Sequence, residues 1–173
     1  MSSMSVALES IHLLASKSDL DAIRPEMAKA AQAVYDKWCQ DADGMDPELG
    51  TGGICDEVAS EISNVINSRL TVVSEIAGFN DHAYLVVLAR DGVLSVDIAA
   101  STYEIGAGFV WEKINGVTFK ASDVSIETID RRPESAPLYF DPESLTTGMM
   151  EVARAHIRRR ATIQPTVGAS PSV

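Results

Sequence analysis

The sequence predicts an α+β domain, with helices in the first third of the chain and at its end and strands between them. Apolar residues recur at helical spacing up to about residue 68, and β-branched residues dominate from about residue 70 to residue 129. This order is typical of N-terminal helices and a C-terminal helix packed on a mostly antiparallel sheet. A chain of 173 residues suits one domain. We expect that domain over residues 1–160 and a flexible tail over residues 161–173.

Four helices are predicted. Their expected ranges are residues 6–17, 25–40, 54–68 and 142–160. Pro25 is well placed for a first helical turn, which supports the second helix. Apolar residues at helical spacing mark the buried sides of the second and third helices: Met27, Ala31, Val34 and Trp38, then Val58, Ala59, Ile62, Val65 and Ile66.

The strands are predicted from β-branched runs and from two turn signals. Asp91-Gly92 and Asn115-Gly116 are typical of two-residue hairpin turns. The expected strands are residues 70–76, 82–89, 93–98, 109–114, 117–120 and 124–129. The glycine-punctuated segment 103–109 and the segments 41–53 and 132–142 are expected to be loops.

The charge balance limits the classes of partner. The chain has 14 basic and 25 acidic residues and a formal net charge of -11, which argues against a nucleic-acid partner. The run Arg158-Arg159-Arg160 is interpreted as the basic last turn of a helix. No apolar segment has the length of a membrane span, and the N-terminus lacks the features of a signal peptide. We therefore expect no membrane partner and a cytoplasmic protein. The sequence leaves the oligomeric state open.

Cys55 is the first candidate for chemistry. It follows Gly52-Gly53 and falls in the first turn of a predicted helix, where unpaired N–H groups favour an anion. We therefore expect a lowered pKa for Cys55, because the thiolate is the nucleophilic form. Cys39, near a helix end, is expected to be less reactive. The alternative is that Cys55 is a small buried apolar residue.

His82 and Asp97 are the candidate partners of Cys55, at the start and end of two neighbouring strands. A turn at Asp91-Gly92 places both side chains on one face of the sheet but four positions apart, roughly 13 Å. The same register places Ser101 opposite His82, so Ser101 and Thr102 are alternative orienting residues. A zinc site built from Cys55, His82 and Asp97 is a weaker interpretation, because no CxxC or HxxxH spacing supports it. No cofactor and no metal are expected.

The order Gly53-Ile54-Cys55, residues 82–87 and Val96-Asp97-Ile98 resembles the core of papain-like and transglutaminase-like thiol enzymes. The resemblance covers about residues 50–100. It implies a papain-like cysteine-peptidase-type core, with Cys55 as nucleophile, His82 as general base and acid, and Asp97 as orienting residue. No Gln in residues 48–53 matches the family's oxyanion donor, and Gln40, fifteen residues before Cys55, could reach the site only if the loop folds back. The Cys55 N–H is therefore the expected donor.

The resemblance also implies a reaction class. It implies acyl transfer on an amide or isopeptide bond of a protein or peptide substrate, by a hydrolase or transglutaminase-like enzyme. Hydrolysis, deamidation and transamidation all remain open. The alternative from another class is a non-catalytic acidic interaction module that retains this fold and binds a basic partner. A structural protein without a site is a third interpretation.

Overall fold

The computed structural model describes residues 8–40, 54–107 and 110–163. Five α-helices lie in these ranges: α1 Lys17–Ala22, α2 Arg24–Gln40, α3 Cys55–Arg69, α4 Ala136–Tyr139 and α5 Pro142–Ile163. The strands are β1 Val73–Phe79, β2 His82–Ala89, β3 Gly92–Asp97, β4 Glu104–Ala107, β5 Val110–Lys113 and β6 Ser125–Asp130. The predicted α+β class with an antiparallel sheet is confirmed. None of the helices in these ranges is both long and apolar enough to cross a membrane.

The main sheet has the strand order β1-β2-β3-β6, and every neighbouring pair is antiparallel. β4 and β5 form a separate two-stranded antiparallel sheet. The main sheet therefore brings the beginning of β2 and the end of β3 to the same end of the sheet. The candidate residues His82 and Asp97 lie there.

Two apolar cores cover the two faces of the main sheet. Side chains alternate along β2, so Leu85 and Val87 pack with α2 and α3, whereas Val86 and Leu88 pack with α5. The first core includes four fully or almost fully buried residues of α2 and α3: Met27, Ala31, Ile62 and Ile66. The second includes Leu145 and Met149 of α5. The two cores hold the sheet as the middle layer of three.

The first predicted helix, over residues 6–17, is interrupted: residues 8 and 9 are helical, but the helix does not continue to residue 17. A 3₁₀ turn at Ile11–Leu13 is followed by extended backbone, and α1 then begins at Lys17. Ser16 caps the next helix, because its hydroxyl accepts from the Asp19 N–H at 3.2 Å and its own N–H donates to the Asp19 carboxylate at 2.8 Å. This reciprocal capping box starts a new helix at that point.

The predicted hairpin around Asn115-Gly116 is also wrong. The turn is present, but residues 117–120 form no strand. Their polar groups bind α2 instead: the Phe119 N–H donates to the Gln32 side chain at 2.8 Å, and the Gln32 amide donates to the Val117 carbonyl at 3.1 Å. β5 pairs instead with β4, and β4 lies inside the segment 103–109 that was expected to be a loop.

The remaining boundaries differ in smaller ways. The segment 132–142, expected to be a loop, contains α4, and α5 continues to Ile163 through the first three residues of the expected tail. The predicted loop 41–53 and residues 164–173 lie outside the described residues.

Candidate active site

The β2–β3 hairpin has a different register from the one that the sequence predicts. Ala89 pairs with Gly92, so the two turn residues are Arg90 and Asp91. The N-terminal segment uses both of them: the Arg90 N–H donates to the Ala15 carbonyl at 2.8 Å, and the Asp91 carboxylate accepts from the Lys17 N–H at 2.9 Å. Extension of this register places Asp97 only two positions from the residue opposite His82, which is within side-chain reach.

His82 and Asp97 are in direct contact. The His82 Nε2 lies 2.8 Å and 2.9 Å from the two Asp97 carboxylate oxygens. Because a carboxylate only accepts, Nε2 carries a proton, and in the neutral imidazole the lone pair is therefore on Nδ1. The Nδ1 atom is buried and has no hydrogen-bond partner among the described residues. Ser101, the alternative orienting residue, is exposed in the 3₁₀ turn Ala100–Thr102.

Cys55 is the first residue of α3, and only 9% of it is exposed. Its sulfur accepts from the Ala83 N–H at 3.3 Å, and its thiol points at the Asp81 carbonyl oxygen at 3.9 Å. The sulfur therefore lies against the main chain on both sides of His82. The tight turn of Asn80 and Asp81, with φ of 48° and 63°, presents this part of the main chain to α3.

The sulfur and the imidazole are not hydrogen-bonded to each other. Nε2 is held by Asp97, and Nδ1 has no partner within the described ranges. The alternation of side chains along β2 assigns His82 to the face that α5 covers, whereas α3 packs on the opposite face. The structure thus joins His82 to Asp97 and brings Cys55 to the main chain beside His82.

The predicted lowering of the Cys55 pKa is wrong for this arrangement. Burial raises the pKa of the thiol, and the carboxylates of Asp56 and Glu104 raise it further. The N–H groups of Ala83 and Asp56 act in the opposite direction, but their effect does not outweigh burial. Cys39 was expected to be the less reactive of the two cysteines. In the structure, however, Cys39 is exposed and Cys55 is buried, so Cys39 is the more accessible thiol.

Two buried polar residues beside the site were not identified from the sequence as site residues. Tyr103 is fully buried and Glu104 is 5% exposed. The Tyr103 hydroxyl and the Glu104 Oε2 have no hydrogen-bond partner among the residues that the structure describes. One signal was available: residues 91–112 contain no Lys or Arg, so any acid buried in this segment lacks a local cation.

Two clefts among the described residues lie beside the candidate site. A cleft of about 530 Å³ between α2 and α3 is lined by Ile54 and Glu57, close to Cys55 in the sequence. A larger one, of about 670 Å³, lies between β1 and α5. Within the described ranges, no three His, Cys, Asp or Glu side chains converge as the ligands of a metal ion would.

Comparison with protein-family models, with curated proteins and with solved structures finds no significant match to this chain.

Proposed function

We propose that this protein is a thiol-dependent acyl-transfer enzyme that acts on an amide or isopeptide bond of a protein or peptide. Cys55 is the nucleophile, His82 the general base and acid, and Asp97 the residue that orients His82. The observation that carries the proposal is the contact of His82 Nε2 with both Asp97 oxygens. That contact leaves a buried basic nitrogen beside the strand segment that holds the Cys55 sulfur.

The reaction begins with a neutral thiol, because burial raises the pKa of Cys55. Because the Cys55 and His82 side chains lie on opposite faces of the sheet, the proposed mechanism requires the main chain around Asp81 and Ala83 to move on substrate binding, so that the thiol leaves the Asp81 carbonyl and reaches Nδ1, which takes the proton. The sulfur attacks the substrate carbonyl, the C–N bond breaks, and the proton on Nδ1 passes to the leaving amine. Water or a second amine then cleaves the thioester, with His82 again as base.

The papain-like core belongs to this proposal, because the helix-start cysteine and the His–Asp pair on neighbouring strands have the order of that family. The Cys55 N–H, at the start of α3, is the proposed oxyanion donor.

The second candidate is a non-catalytic acidic interaction module. Two observations on Cys55 favour it. Its sulfur already accepts a hydrogen bond from the Ala83 N–H, and burial raises the pKa of its thiol. In this interpretation Cys55 fastens α3 to the sheet, and the acidic surface binds a basic partner.

The experiment that separates the two candidates is acylation by p-nitrophenyl acetate in a Cys39→Ser background. An acyl-transfer site releases one equivalent of nitrophenolate in a burst and leaves one acetyl group on Cys55, which mass spectrometry locates. We expect His82→Ala to slow the burst by about 10²–10⁴, the usual contribution of a general base. Asp97→Ala slows it less, because Asp97 acts through the ring.

The matched control is Ser101→Ala, which removes the alternative orienting residue and leaves the burst rate unchanged. Acylation of Cys55 at the same rate in the parent and in His82→Ala contradicts the proposal and favours the interaction module. Circular dichroism confirms that each variant is folded before its rate is compared.

A further inference from the structure

Glu104 is a buried carboxyl group, and its Oε2 atom has no hydrogen-bond partner among the described residues. It is 5% exposed, and no Lys or Arg in the described ranges forms an ion pair with it. Burying an unpaired polar group costs free energy, and burying an unpaired charge costs more. One explanation for such a group in a folded protein is a partner that arrives from outside the described residues.

The cation best placed to neutralise Glu104 is engaged elsewhere. Lys113 lies directly opposite Glu104 in the β4–β5 pair. Its ammonium group instead donates to the Trp38 carbonyl at 2.6 Å and lies 4.7 Å from the centre of the Trp38 ring. Opposite charges at facing positions of an antiparallel pair normally attract, so this arrangement leaves the carboxyl of Glu104 available.

The surroundings of Glu104 are those of the candidate active site. The His82 imidazole acts on the Glu104 carboxyl and partly offsets the effect of burial, which raises the pKa of Glu104. The Glu104 carboxylate in turn raises the pKa of both Cys55 and Tyr103. The Asp56 carboxylate raises the same two pKa values. The charge around the sulfur is thus predominantly negative.

We propose that Glu104 is the specificity-determining residue of this site, and that it binds a cationic nitrogen that the substrate carries close to the carbonyl attacked by Cys55. The position of the cation next to that carbonyl rests on the proposed function. Binding of the cation itself does not depend on catalysis and can be measured separately.

An ammonium or a guanidinium group has the chemistry that the site lacks. Either group carries N–H donors and no acceptor, whereas Glu104 Oε2 and the Tyr103 hydroxyl oxygen are buried acceptors that find no partner among the described residues. A cation that enters allows Glu104 to ionise, and the new ion pair is charge-assisted and shielded from water. A neutral or anionic group at the same position leaves the carboxyl unpaired.

The test compares thiol reagents that differ in charge. In the Cys39→Ser background, the rate at which Cys55 reacts with cationic 2-aminoethyl methanethiosulfonate is divided by its rate with neutral methyl methanethiosulfonate. The ratio is normalised to that of free cysteine, which removes the intrinsic reactivities. We expect the normalised ratio to be at least about tenfold, and Glu104→Gln to lower it by about tenfold.

The control variant is Glu57→Gln. It removes the same formal charge from an exposed carboxylate in the first turn of α3, so we expect a change of less than about twofold because water screens that charge. A second measurement needs no variant at Glu104: n-butylammonium protects Cys55 from methyl methanethiosulfonate, and n-butanol at the same concentration does not.

Two rate measurements can overturn this inference: a normalised ratio near one in the parent chain, or equal ratios in the Glu104→Gln and Glu57→Gln variants. Equal protection by n-butylammonium and n-butanol does the same. A chain that shows the acetyl burst but no charge preference loses only the cation site. A chain that shows charge preference without the burst keeps the cation site and loses the acyl-transfer function.

Discussion

At the His82 imidazole, the position of one proton decides which nitrogen is available for chemistry. Asp97 accepts from Nε2 with both oxygens, at 2.8 Å and 2.9 Å, so the basic lone pair is on Nδ1. The sequence identified both residues, because a His at a strand start and an Asp at the end of the next strand are recognisable. Glu104 was missed, because its burial depends on a two-stranded sheet that the sequence analysis did not predict.

The first prediction concerns the pH dependence of stability at Glu104. Burial raises the folded-state pKa of Glu104 above its ordinary value of 4.5, so the folded chain retains a proton that the unfolded chain releases. The free energy of unfolding therefore falls as the pH rises from about 4.5 through the folded-state pKa, and the loss is complete above it. Glu104→Gln removes this contribution.

Urea denaturation at about pH 5 and about pH 8 measures the effect. We expect the drop in the urea midpoint between these two values to be smaller in Glu104→Gln than in the parent. Glu57→Gln, which removes an exposed carboxylate, serves as the control. An identical drop in the parent and in Glu104→Gln is incompatible with an unpaired buried carboxyl at this position.

Among the elements, the three longest helices and the central strands followed from local patterns, and the short helices and the connections did not. α2 and α3 begin and end within one residue of their predicted bounds, and β2 matches its predicted range. The β2–β3 register was wrong because Arg90 and Asp91 bind the N-terminal segment, about 74 residues away in sequence. Periodicity and turn statistics describe neighbours along the chain, so contacts of this kind are beyond their reach.

The second prediction concerns Gly92, the first residue of β3. Its φ is 145°, and an added Cβ would lie 2.5 Å from the Asp130 carbonyl oxygen of β6. Because that atom belongs to the main chain, it cannot rotate away as a side chain can. We expect Gly92→Ala to lower the free energy of unfolding by at least about 2 kcal/mol, from the clash and the strained φ together.

Gly116 provides the comparison for Gly92. Its φ is 72°, but an added Cβ would meet no atom within 4 Å. Gly116→Ala therefore carries only the cost of a left-handed conformation, about 1–2 kcal/mol. Urea denaturation measures the free energy of unfolding of both variants. A loss in Gly116→Ala that equals or exceeds the loss in Gly92→Ala contradicts the expected clash with the Asp130 carbonyl oxygen.

Over the whole molecule, acidic residues outnumber basic ones and give a formal net charge of -11. The ion pairs among the described residues are few; Lys17 and Arg24 share Asp21, and Arg132 pairs with Asp130. Most carboxylates therefore face a field of the same sign. Self-repulsion of this kind destabilises the compact state, and salt screens it.

The third prediction follows from that imbalance. Raising the NaCl concentration from about 10 mM to about 150 mM shortens the screening length from about 30 Å to about 8 Å. We expect the thermal midpoint of the chain to rise over this range, and to rise by less in a variant that replaces exposed Glu57 and Glu61 with Gln. A midpoint that falls with added salt would mean that attraction between charges outweighs their repulsion.

The contact between Lys113 and Trp38 has an optical consequence. An ammonium group 4.7 Å from the ring centre perturbs the excited state of the indole, and the perturbation disappears if the β4–β5 pair moves away from α2. The fluorescence of Trp38, with Trp111 replaced by Phe, would then report whether the strand pair that begins at Glu104 is docked. Trp38 is thus an intrinsic fluorescent reporter of the strand pair in which Lys113 faces Glu104.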